Sequence, residues 1–120
     1  MILIDDEWLS LEYLERSLLK IGDIYIAGKF TNPFQAKEAV CDTDVDLVFL
    51  DIQLPGINGL RLAEQLVAVK PQLKIVFITA YTHYAVKAFE LNAMDYLVKP
   101  VTAERLTKPL HKFREMSSIQ

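Results

Sequence analysis

Short strand-like segments alternate five times with longer helix-like segments, and this alternation limits the fold more than any other feature of the sequence. The strand-like segments are rich in β-branched and aromatic residues, and they span residues 1–5, 24–30, 46–51, 74–79 and 94–98. Apolar residues recur at helical spacing between them. Five βα units of this size predict right-handed crossovers and a parallel, doubly wound α/β sheet with helices on both faces.

Cap residues mark the ends of the predicted helices. The first helix ends near Gly22, and the second is opened by Pro33 after the cap candidate Asn32. The fourth stops at Asn92, which tolerates a left-handed cap conformation, and the fifth starts after Thr102. The apolar positions with helical spacing are Trp8, Leu11, Leu14 and Leu18; Phe34, Ala36, Ala39 and Val40; Leu60, Ala63, Leu66 and Val67; Ala85, Val86, Ala88, Phe89 and Leu91; and Leu106, Leu110 and Phe113.

Pro109 interrupts the fifth helical segment, "TAERLTKPLHKF". A proline inside a helix removes one backbone hydrogen bond and clashes with the carbonyl four residues earlier, here that of Arg105. The sequence therefore predicts a kink or an early stop in the last helix.

The composition excludes several classes of protein. With 120 residues, 52% of them hydrophobic, and no repeat or linker, the chain is expected to form one globular domain, residues 1–120. Its net charge of −3 argues against direct binding to a nucleic-acid backbone. The apolar stretches fall short of the ~18 residues of a membrane span, and the amino terminus lacks the basic region of a signal peptide. We therefore expect a cytoplasmic protein that does not bind membranes.

Polar residues lie at or just after the carboxyl ends of four predicted strands. Asp5 ends the first predicted strand and Asp6 follows it, Asp51 ends the third, Thr79 ends the fourth and Lys99 follows the fifth. Open α/β sheets bind their ligands at this edge. Crowded carboxylates repel unless a cation intervenes, and Mg²⁺ suits a site of oxygen ligands that leaves room for a phosphate. The sequence therefore predicts a Mg²⁺-phosphoryl site at this edge of the sheet.

Each of these residues also has a simpler interpretation. Asp5 and Asp6 could cap the following helix, and Asp51 could begin a turn. Thr79 could simply end a strand, and Lys99 could be a solvated lysine. Their combination favours a site, because packing gives no reason for four separate strand ends to carry compatible residues.

Four short motifs surround these strand ends. They are "DDE" after the first strand, "LDIQLPGINGL" around the third, "ITA" at the end of the fourth and "DYLVKP" at the fifth. Together, and in this order, they resemble the receiver domain of a two-component response regulator. The resemblance covers the whole chain and implies a flavodoxin-like (βα)5 fold with strand order 2-1-3-4-5. The stretch "TAYTHYAVKAFELNAMDYLVKP" is most similar to receivers that precede transcriptional output domains, including the LytTR type.

The resemblance implies roles for the residues around the acidic pocket. Asp51 is expected to be the phosphoacceptor, Asp6 a Mg²⁺ ligand and Asp5 its partner in the pocket. The backbone carbonyl of Gln53 is expected to be a further metal ligand. Gln53 and Tyr81 should also influence how long the phosphorylated form lasts, because a bulky Tyr81 over the phosphoryl group would hinder an attacking water.

Other positions are expected to respond to phosphorylation. Thr79 should close on the phosphoryl group, Lys99 should supply an ammonium, and Tyr96 should move with Thr79 as a switch.

The resemblance also implies a cis peptide bond between Lys99 and Pro100. The residues expected to shape the loop after the phosphoacceptor are Pro55, Gly56 and Gly59.

The implied function is that of a Mg²⁺-dependent phosphoryl acceptor and conformational switch. The domain would not be an enzyme with a separate substrate, although it would assist its own phosphorylation and dephosphorylation. The implied partners are a sensor histidine kinase and a second copy of the chain, bound through the fourth helix, fifth strand and fifth helix. DNA would be bound only by a separate output domain.

Three other functions fit parts of the pattern. A Mg²⁺-dependent phosphohydrolase of the haloacid dehalogenase type also uses a strand-end aspartate, but it needs a second acid where this chain has Gln53. A flavodoxin-like carrier needs glycine or hydroxyl groups in its first loop, where this chain has "DDEWLS". A module that binds partners without phosphorylation would not need Asp51, Thr79 and Lys99 together.

Overall fold

The computed structural model describes residues 1–118, which form a main sheet with helices on both faces and one short hairpin. The strands of the main sheet are β1 (Ile2–Ile4), β2 (Gly28–Phe30), β3 (Leu47–Leu50), β4 (Lys74–Thr79) and β5 (Asp95–Val98). The helices are α1 (Trp8–Ile21), α2 (Pro33–Asp42), α3 (Gly59–Val69), α4 (Ala85–Glu90) and α5 (Ala103–Ser118). The hairpin pairs Gln53–Leu54 with Ile57–Asn58. The last two residues of the predicted domain, 119 and 120, lie outside the described residues.

The main sheet is parallel, with the strand order β2-β1-β3-β4-β5. This confirms the predicted doubly wound α/β fold and its 2-1-3-4-5 order. Leu50 of β3 lies opposite Ile4 of β1 and Phe77 of β4. The residue after Leu50 therefore emerges at the centre of the carboxyl edge of the sheet.

The central strand β3 is buried on both faces, as its continuous apolar run predicts. Val48 and Leu50 belong to a core cluster with residues of α2, α3 and α4, whereas Leu47 and Phe49 belong to a second cluster with residues of α1 and α5. The helices thus cover the sheet as two layers, and both layers hold β3 in place.

Local capping explains where several helices begin and end. The Asn32 side chain accepts hydrogen bonds from the amides of Phe34 and Gln35, and Pro33 occupies the first turn of α2. Gly22, with φ of 87°, ends α1, and Asn92, with φ of 61°, follows α4. These residues confirm the predicted helix ends.

β2 is shorter than the predicted strand 24–30. The register places Gly28 opposite Ile2, and the amide of Ala27 still donates to the carbonyl of Met1 at 2.7 Å. Residues 24–26 lie beyond Met1 in this register, and the amino group of Met1 donates to the carbonyl of Tyr25 at 2.8 Å. The β-branched and aromatic residues 24–26 do not extend the paired strand beyond Gly28.

Four of the apolar residues with helical spacing are more than half exposed. Trp8 lies in the first turn of α1, where the Lys29 ammonium is 4.8 Å from the centre of its ring. Phe34 lies in the first turn of α2, where its ring is beside Gly56. Val86 and Phe89 lie on α4, whose six residues include one buried side chain.

For the last helix the sequence predicted a kink or an early stop, and the early stop is wrong. α5 continues through Pro109 to Ser118. Leu106 and Leu110, on either side of Pro109, are both buried.

Within residues 1–118, none of the helices combines the length and apolar composition needed to cross a bilayer.

Candidate functional site

The backbone of the main sheet continues into the predicted site residues. The amide of Asp5 donates to the carbonyl of Phe30 at 3.1 Å, and the amide of Asp51 donates to the carbonyl of Ile4 at 3.0 Å. Each aspartate is therefore held by the strand beside its own. This continuation fixes both carboxylates at the carboxyl edge of the sheet, where the sequence predicted a site.

The Lys99 ammonium joins these two carboxylates. It donates to Asp5 Oδ2 at 2.7 Å and to Asp51 Oδ2 at 2.9 Å, with a longer contact of 3.5 Å to Ser10 Oγ. Partial burial would lower the pKa of Lys99, but the hydrogen bonds to Asp5 and Asp51 outweigh that effect and raise it. Lys99 therefore remains a cation in contact with Asp51.

Asp5, Asp6 and Asp51 form an acidic cluster in which one carboxylate oxygen from each residue lies within 4.8 Å of the others. Asp5 and Asp51 are 5% and 6% exposed, whereas Asp6 is exposed. Burial raises the pKa of Asp5, despite the hydrogen bonds from Lys99 and from the amide of Glu7. Ionised Asp5 is thus costly without a further cation.

This acidic cluster fits Mg²⁺. With Lys99 as the ammonium in contact, three ionised carboxylates retain two uncompensated negative charges. The ligand atoms are all oxygens, and the exposure of Asp6 leaves room for water or a phosphate oxygen, as Mg²⁺ prefers.

Asp51 is followed by a tight loop. Its Oδ1 accepts a hydrogen bond from the amide of Gln53 at 3.2 Å. Gly56 has a φ of 80°, which favours glycine. A Cβ on Gly59 would lie 2.1 Å from the carbonyl oxygen of Asp51, so the start of α3 packs directly on the backbone of the loop. Pro55 is exposed at the turn of the hairpin.

Thr79 and Tyr96 lie on the neighbouring strands β4 and β5. Thr79 is fully buried, and its Oγ1 accepts from the amide of Tyr81 at 3.4 Å. The Tyr96 hydroxyl donates a hydrogen bond to the carbonyl of Tyr81. Burial raises the pKa of Tyr96, which keeps the phenol protonated and able to donate. The backbone at Tyr81 is therefore in contact with both predicted switch residues.

The peptide bond between Lys99 and Pro100 is cis, as predicted. The amide of Lys99 donates to the carbonyl of Thr79 at 2.8 Å, which holds the end of β5 against β4. The structure thus brings Asp5, Asp51 and Lys99 into direct contact through hydrogen bonds.

Two contacts of the site were not predicted. Ser10 reaches Lys99 from the first part of α1; its position one helical turn after Asp6 was the available signal. The Tyr81 hydroxyl donates a hydrogen bond to Gln53 Oε1 across the site. Gln53 and Tyr81 were each expected near the site, but no spacing in the sequence predicts a hydrogen bond between their side chains.

Comparisons with known proteins agree with this geometry. The family model described as "Response regulator receiver domain" matches residues 1–111. The transcriptional regulatory protein BtsR of Salmonella typhi is 43% identical over 122 aligned positions, which cover 100% of this chain and 50% of the relative. The sensory transduction protein LytT of Bacillus subtilis is 38% identical, with 98% of this chain and 48% of the relative covered.

A solved structure shows the same architecture. The response regulatory domain of protein mrkE from Klebsiella pneumoniae is 33% identical, has a TM-score of 0.89 and is matched over 100% of both chains. The present chain spans about half the length of the curated relatives that it matches.

Proposed function

The chain belongs to the response regulator receiver domain family, and from this premise we propose that residues 1–120 form a Mg²⁺-dependent phosphoryl acceptor that is phosphorylated on Asp51 and acts as a conformational switch. The observation that carries the proposal is the Lys99 ammonium shared by Asp5 and Asp51 in a pocket with an acidic cluster. The donor would be a phosphohistidine on a sensor histidine kinase or a small acyl phosphate.

The transfer step uses Asp51 as the nucleophile. A carboxylate oxygen of Asp51 attacks phosphorus, the bond between phosphorus and the donor atom breaks, and its electron pair leaves with the donor. Lys99 lies 2.9 Å from Asp51 Oδ2, where its positive charge can stabilise the phosphoryl oxygens as they approach. The product is an acyl phosphate on Asp51.

The residues proposed to hold Mg²⁺ are Asp6, Asp51 and the backbone carbonyl of Gln53, with Asp5 as the neighbouring carboxylate. When bound, Mg²⁺ would neutralise negative charge on the phosphoryl oxygens. The chain's own contribution is to fix the carboxylates, since Asp5 and Asp51 are tied to adjacent strands and to Lys99.

The new phosphoryl group would change the contacts at the sheet edge. It adds one to two negative charges and several strong acceptors, and the Thr79 hydroxyl and the Lys99 ammonium are proposed to bind them. Thr79 and Tyr96 both contact the backbone of Tyr81, so a change at Thr79 can reach Tyr96 through one residue. Moving a population from 1:99 to 99:1 requires about 5.5 kcal/mol of differential binding.

Mass spectrometry tests the phosphoacceptor. With acetyl phosphate and Mg²⁺, the wild-type chain should gain one phosphoryl group, which alkaline pH should remove because acyl phosphates hydrolyse. Asp51→Asn should not gain it, whereas Asp44→Asn, an exposed aspartate before β3, should behave as the wild type. A phosphoryl group retained on Asp51→Asn would identify another acceptor and contradict the proposal.

Trp8 fluorescence tests the metal site, because Trp8 lies two residues after Asp6. The signal should saturate with Mg²⁺ in the wild type and in the exposed-residue control Glu38→Ala, and the response should be lost in Asp6→Ala. Unchanged saturation in Asp6→Ala would show that Asp6 does not hold the ion.

The phosphohydrolase alternative is less well supported. The position of its acid/base is occupied by Gln53, whose side chain accepts a hydrogen bond from Tyr81. Turnover of small phosphate esters by the wild type, abolished in Asp51→Asn, would favour that alternative instead.

We further propose that the domain controls transcription through a C-terminal output domain of the LytTR type. That output domain would make any contact with DNA, and the protein would act in the cytoplasm. The support is the similarity to a relative named as a transcriptional regulatory protein and the fact that the curated relatives are about twice as long. Translation of the downstream reading frame tests this directly. A frame without a DNA-binding domain would contradict the proposal.

Self-association is proposed through the face formed by α4, β5 and α5. The exposed side chains of Val86 and Phe89 on α4 offer apolar surface there. Within the same face, the ammonium of Lys112 on α5 lies 3.7 Å from the carboxylate of Asp95 on β5. Sedimentation with beryllofluoride, a phosphoryl mimic, should show a higher mass than without it, and Asp51→Asn should not respond. An unchanged mass at high protein concentration would indicate a receiver that signals as a monomer.

A further inference from the structure

Three side chains of α1 surround the ammonium of Lys29, and we call these four residues the Lys29 cluster. Lys29 Nζ donates to Glu12 Oε1 at 2.7 Å and to Glu15 Oε1 at 2.8 Å. The same ammonium lies 4.8 Å from the centre of the Trp8 ring. Positions 8, 12 and 15 share one face of the helix, because residues three and four apart are neighbours there. A single cation on β2 therefore holds the first two turns of α1.

The Lys29 cluster lies beside the segment that carries Asp6. Lys29 and Phe30 are consecutive residues of β2, and the Phe30 carbonyl accepts a hydrogen bond from the amide of Asp5 at 3.1 Å. Asp5 and Trp8 are thus attached to neighbouring residues of one strand, and Asp6 lies between these two attachments. Because the Asp6 carboxylate is exposed, the backbone on either side of it decides where the carboxylate points.

The first turn of α1 depends on contacts from outside the helix. The preceding residue, Glu7, does not cap the helix with its side chain, although its amide donates to Asp5 Oδ1 at 2.9 Å. The first hydrogen bond of the helix runs from the amide of Leu11 to the carbonyl of Glu7 at 3.2 Å. A helix start without a side-chain cap is less stable, so the contact between Lys29 and Trp8 stabilises this turn.

We propose that Lys29 is a positioning residue for the magnesium site: by holding Trp8 against β2, it fixes the start of α1 and thereby the carboxylate of Asp6. The inference rests on the proposed function, because it takes Asp6 as a ligand of Mg²⁺. In this role Lys29 acts through the backbone rather than on the ion.

The charge of Lys29 makes the direction of the effect informative. An ammonium near a Mg²⁺ site repels the ion, and its removal would also release the carboxylates of Glu12 and Glu15, which attract the ion. A purely electrostatic role therefore predicts tighter Mg²⁺ binding when the charge is removed. The positioning role predicts weaker binding, because the segment that carries Asp6 loses one of its two attachments.

Lys29→Met tests the direction, because it removes the charge and keeps a long side chain. Calorimetric titration of the whole chain with Mg²⁺ at constant ionic strength should show an affinity about two- to five-fold weaker than that of the wild type, as expected for one exposed cation–π contact. Lys37→Met, which removes an ammonium from α2, is the charge control. Its Mg²⁺ affinity should not fall below that of the wild type.

Replacement of the indole ring separates the cation–π contact from the two ion pairs. Trp8→Leu keeps an apolar side chain without a ring, and it should weaken Mg²⁺ binding as Lys29→Met does. Trp8→Tyr keeps a ring beside Lys29 and should recover most of the wild-type affinity. Tyr13→Leu is the matched control, because Tyr13 lies on α1 outside the cluster and is 54% exposed, against 53% for Trp8. Its Mg²⁺ affinity should equal that of the wild type.

Amide hydrogen exchange of the metal-free chain tests the start of the helix without the ion. The Leu11 amide closes the first turn of α1, and it should exchange faster in Lys29→Met and in Trp8→Leu than in the wild type. Gly22→Ala strains the far end of the same helix, since Gly22 has a φ of 87°. This variant should be less stable to urea, yet its Mg²⁺ affinity should be that of the wild type, which separates positioning from general destabilisation.

The outcomes distinguish the positioning role from the proposed function. Unchanged or tighter Mg²⁺ binding by Lys29→Met would overturn the positioning role and leave Asp51 as the acceptor. Exchange of the Leu11 amide at the wild-type rate in that variant would overturn it as well, since the start of α1 would not depend on Lys29. Failure of the wild type to bind Mg²⁺ would overturn the proposed function and, with it, the ligand role of Asp6 on which the inference rests.

Discussion

Replacing Gly59 by alanine tests whether the start of α3 fixes the phosphoacceptor loop. The added Cβ would lie 2.1 Å from the Asp51 carbonyl oxygen and 2.6 Å from the Ile52 Cα. Ordinary contact begins at 3.4 Å, so α3 and the loop would have to separate by about 1.3 Å. Such overpacking costs about 1–3 kcal/mol, and a displacement of about 1 Å at a reacting group lowers rates by about 100-fold.

Gly22→Ala provides a control that destabilises the chain without touching Asp51. Gly22 has a φ of 87°, which strains any other residue by about 1–3 kcal/mol, but a Cβ there would meet nothing within 4 Å. It lies at the far end of α1, about 20 Å along the helix from the acidic cluster. Urea titration should therefore show destabilisation of both variants.

Labelling by acetyl phosphate separates the two effects. Under folding conditions, Gly22→Ala should accept the phosphoryl group at the wild-type rate, whereas Gly59→Ala should be slowed by about two orders of magnitude. The same stability and labelling rate in Gly59→Ala and the wild type would refute the reasoning, since the loop would then have room for a methyl group.

Two further predictions concern stability. Asn32→Ala should lower the free energy of unfolding by about 1 kcal/mol, because the Asn32 side chain accepts from two amides at the start of α2; an unchanged urea midpoint would show that the cap contributes nothing. Asp5→Asn should raise the free energy of unfolding at pH 7 without Mg²⁺, because burial raises the pKa of Asp5 and makes its ionised form costly. That gain should vanish below the ordinary Asp pKa of about 3.9, where wild-type Asp5 is protonated in both states; a wild type more stable than Asp5→Asn in urea at pH 7 would contradict this.

The sequence predicts the fold and the location of the site for the same physical reason. Apolar runs such as 47–50 identify buried strands, and parallel strands bring their carboxyl ends to one edge. Asp5, Asp51 and Lys99 could therefore be assigned to one place before any distance was known. The Lys99 ammonium lies 2.7 Å from Asp5 Oδ2 and 2.9 Å from Asp51 Oδ2. These contacts follow from a parallel sheet in which β1, β3, β4 and β5 are consecutive neighbours.

Helical spacing was less informative for side-chain burial. Phe34 and Phe89 have the spacing of core residues, yet both are more than half exposed. Phe34 lies in the first turn of α2, and Phe89 lies on a helix of six residues, which has little length to pack along the sheet. Periodicity gives the direction of a side chain around a helix axis, but burial also depends on where the helix ends relative to the sheet.

The continuation of α5 through Pro109 shows how magnitude decides between local and tertiary effects. A proline in a helix interior costs about 3 kcal/mol, which alone would favour a stop at Lys108. Leu110, one residue after Pro109, is 1% exposed, and Phe113 packs against the same cluster. Full burial of Leu110 contributes about 1.5–3 kcal/mol, and the partly buried Phe113 adds a fraction of the same amount, so a stop before them would forfeit about as much as the proline costs. The apolar pattern therefore offsets the proline, and a rule for helix breaking fails wherever the residues beyond the break are needed by the core.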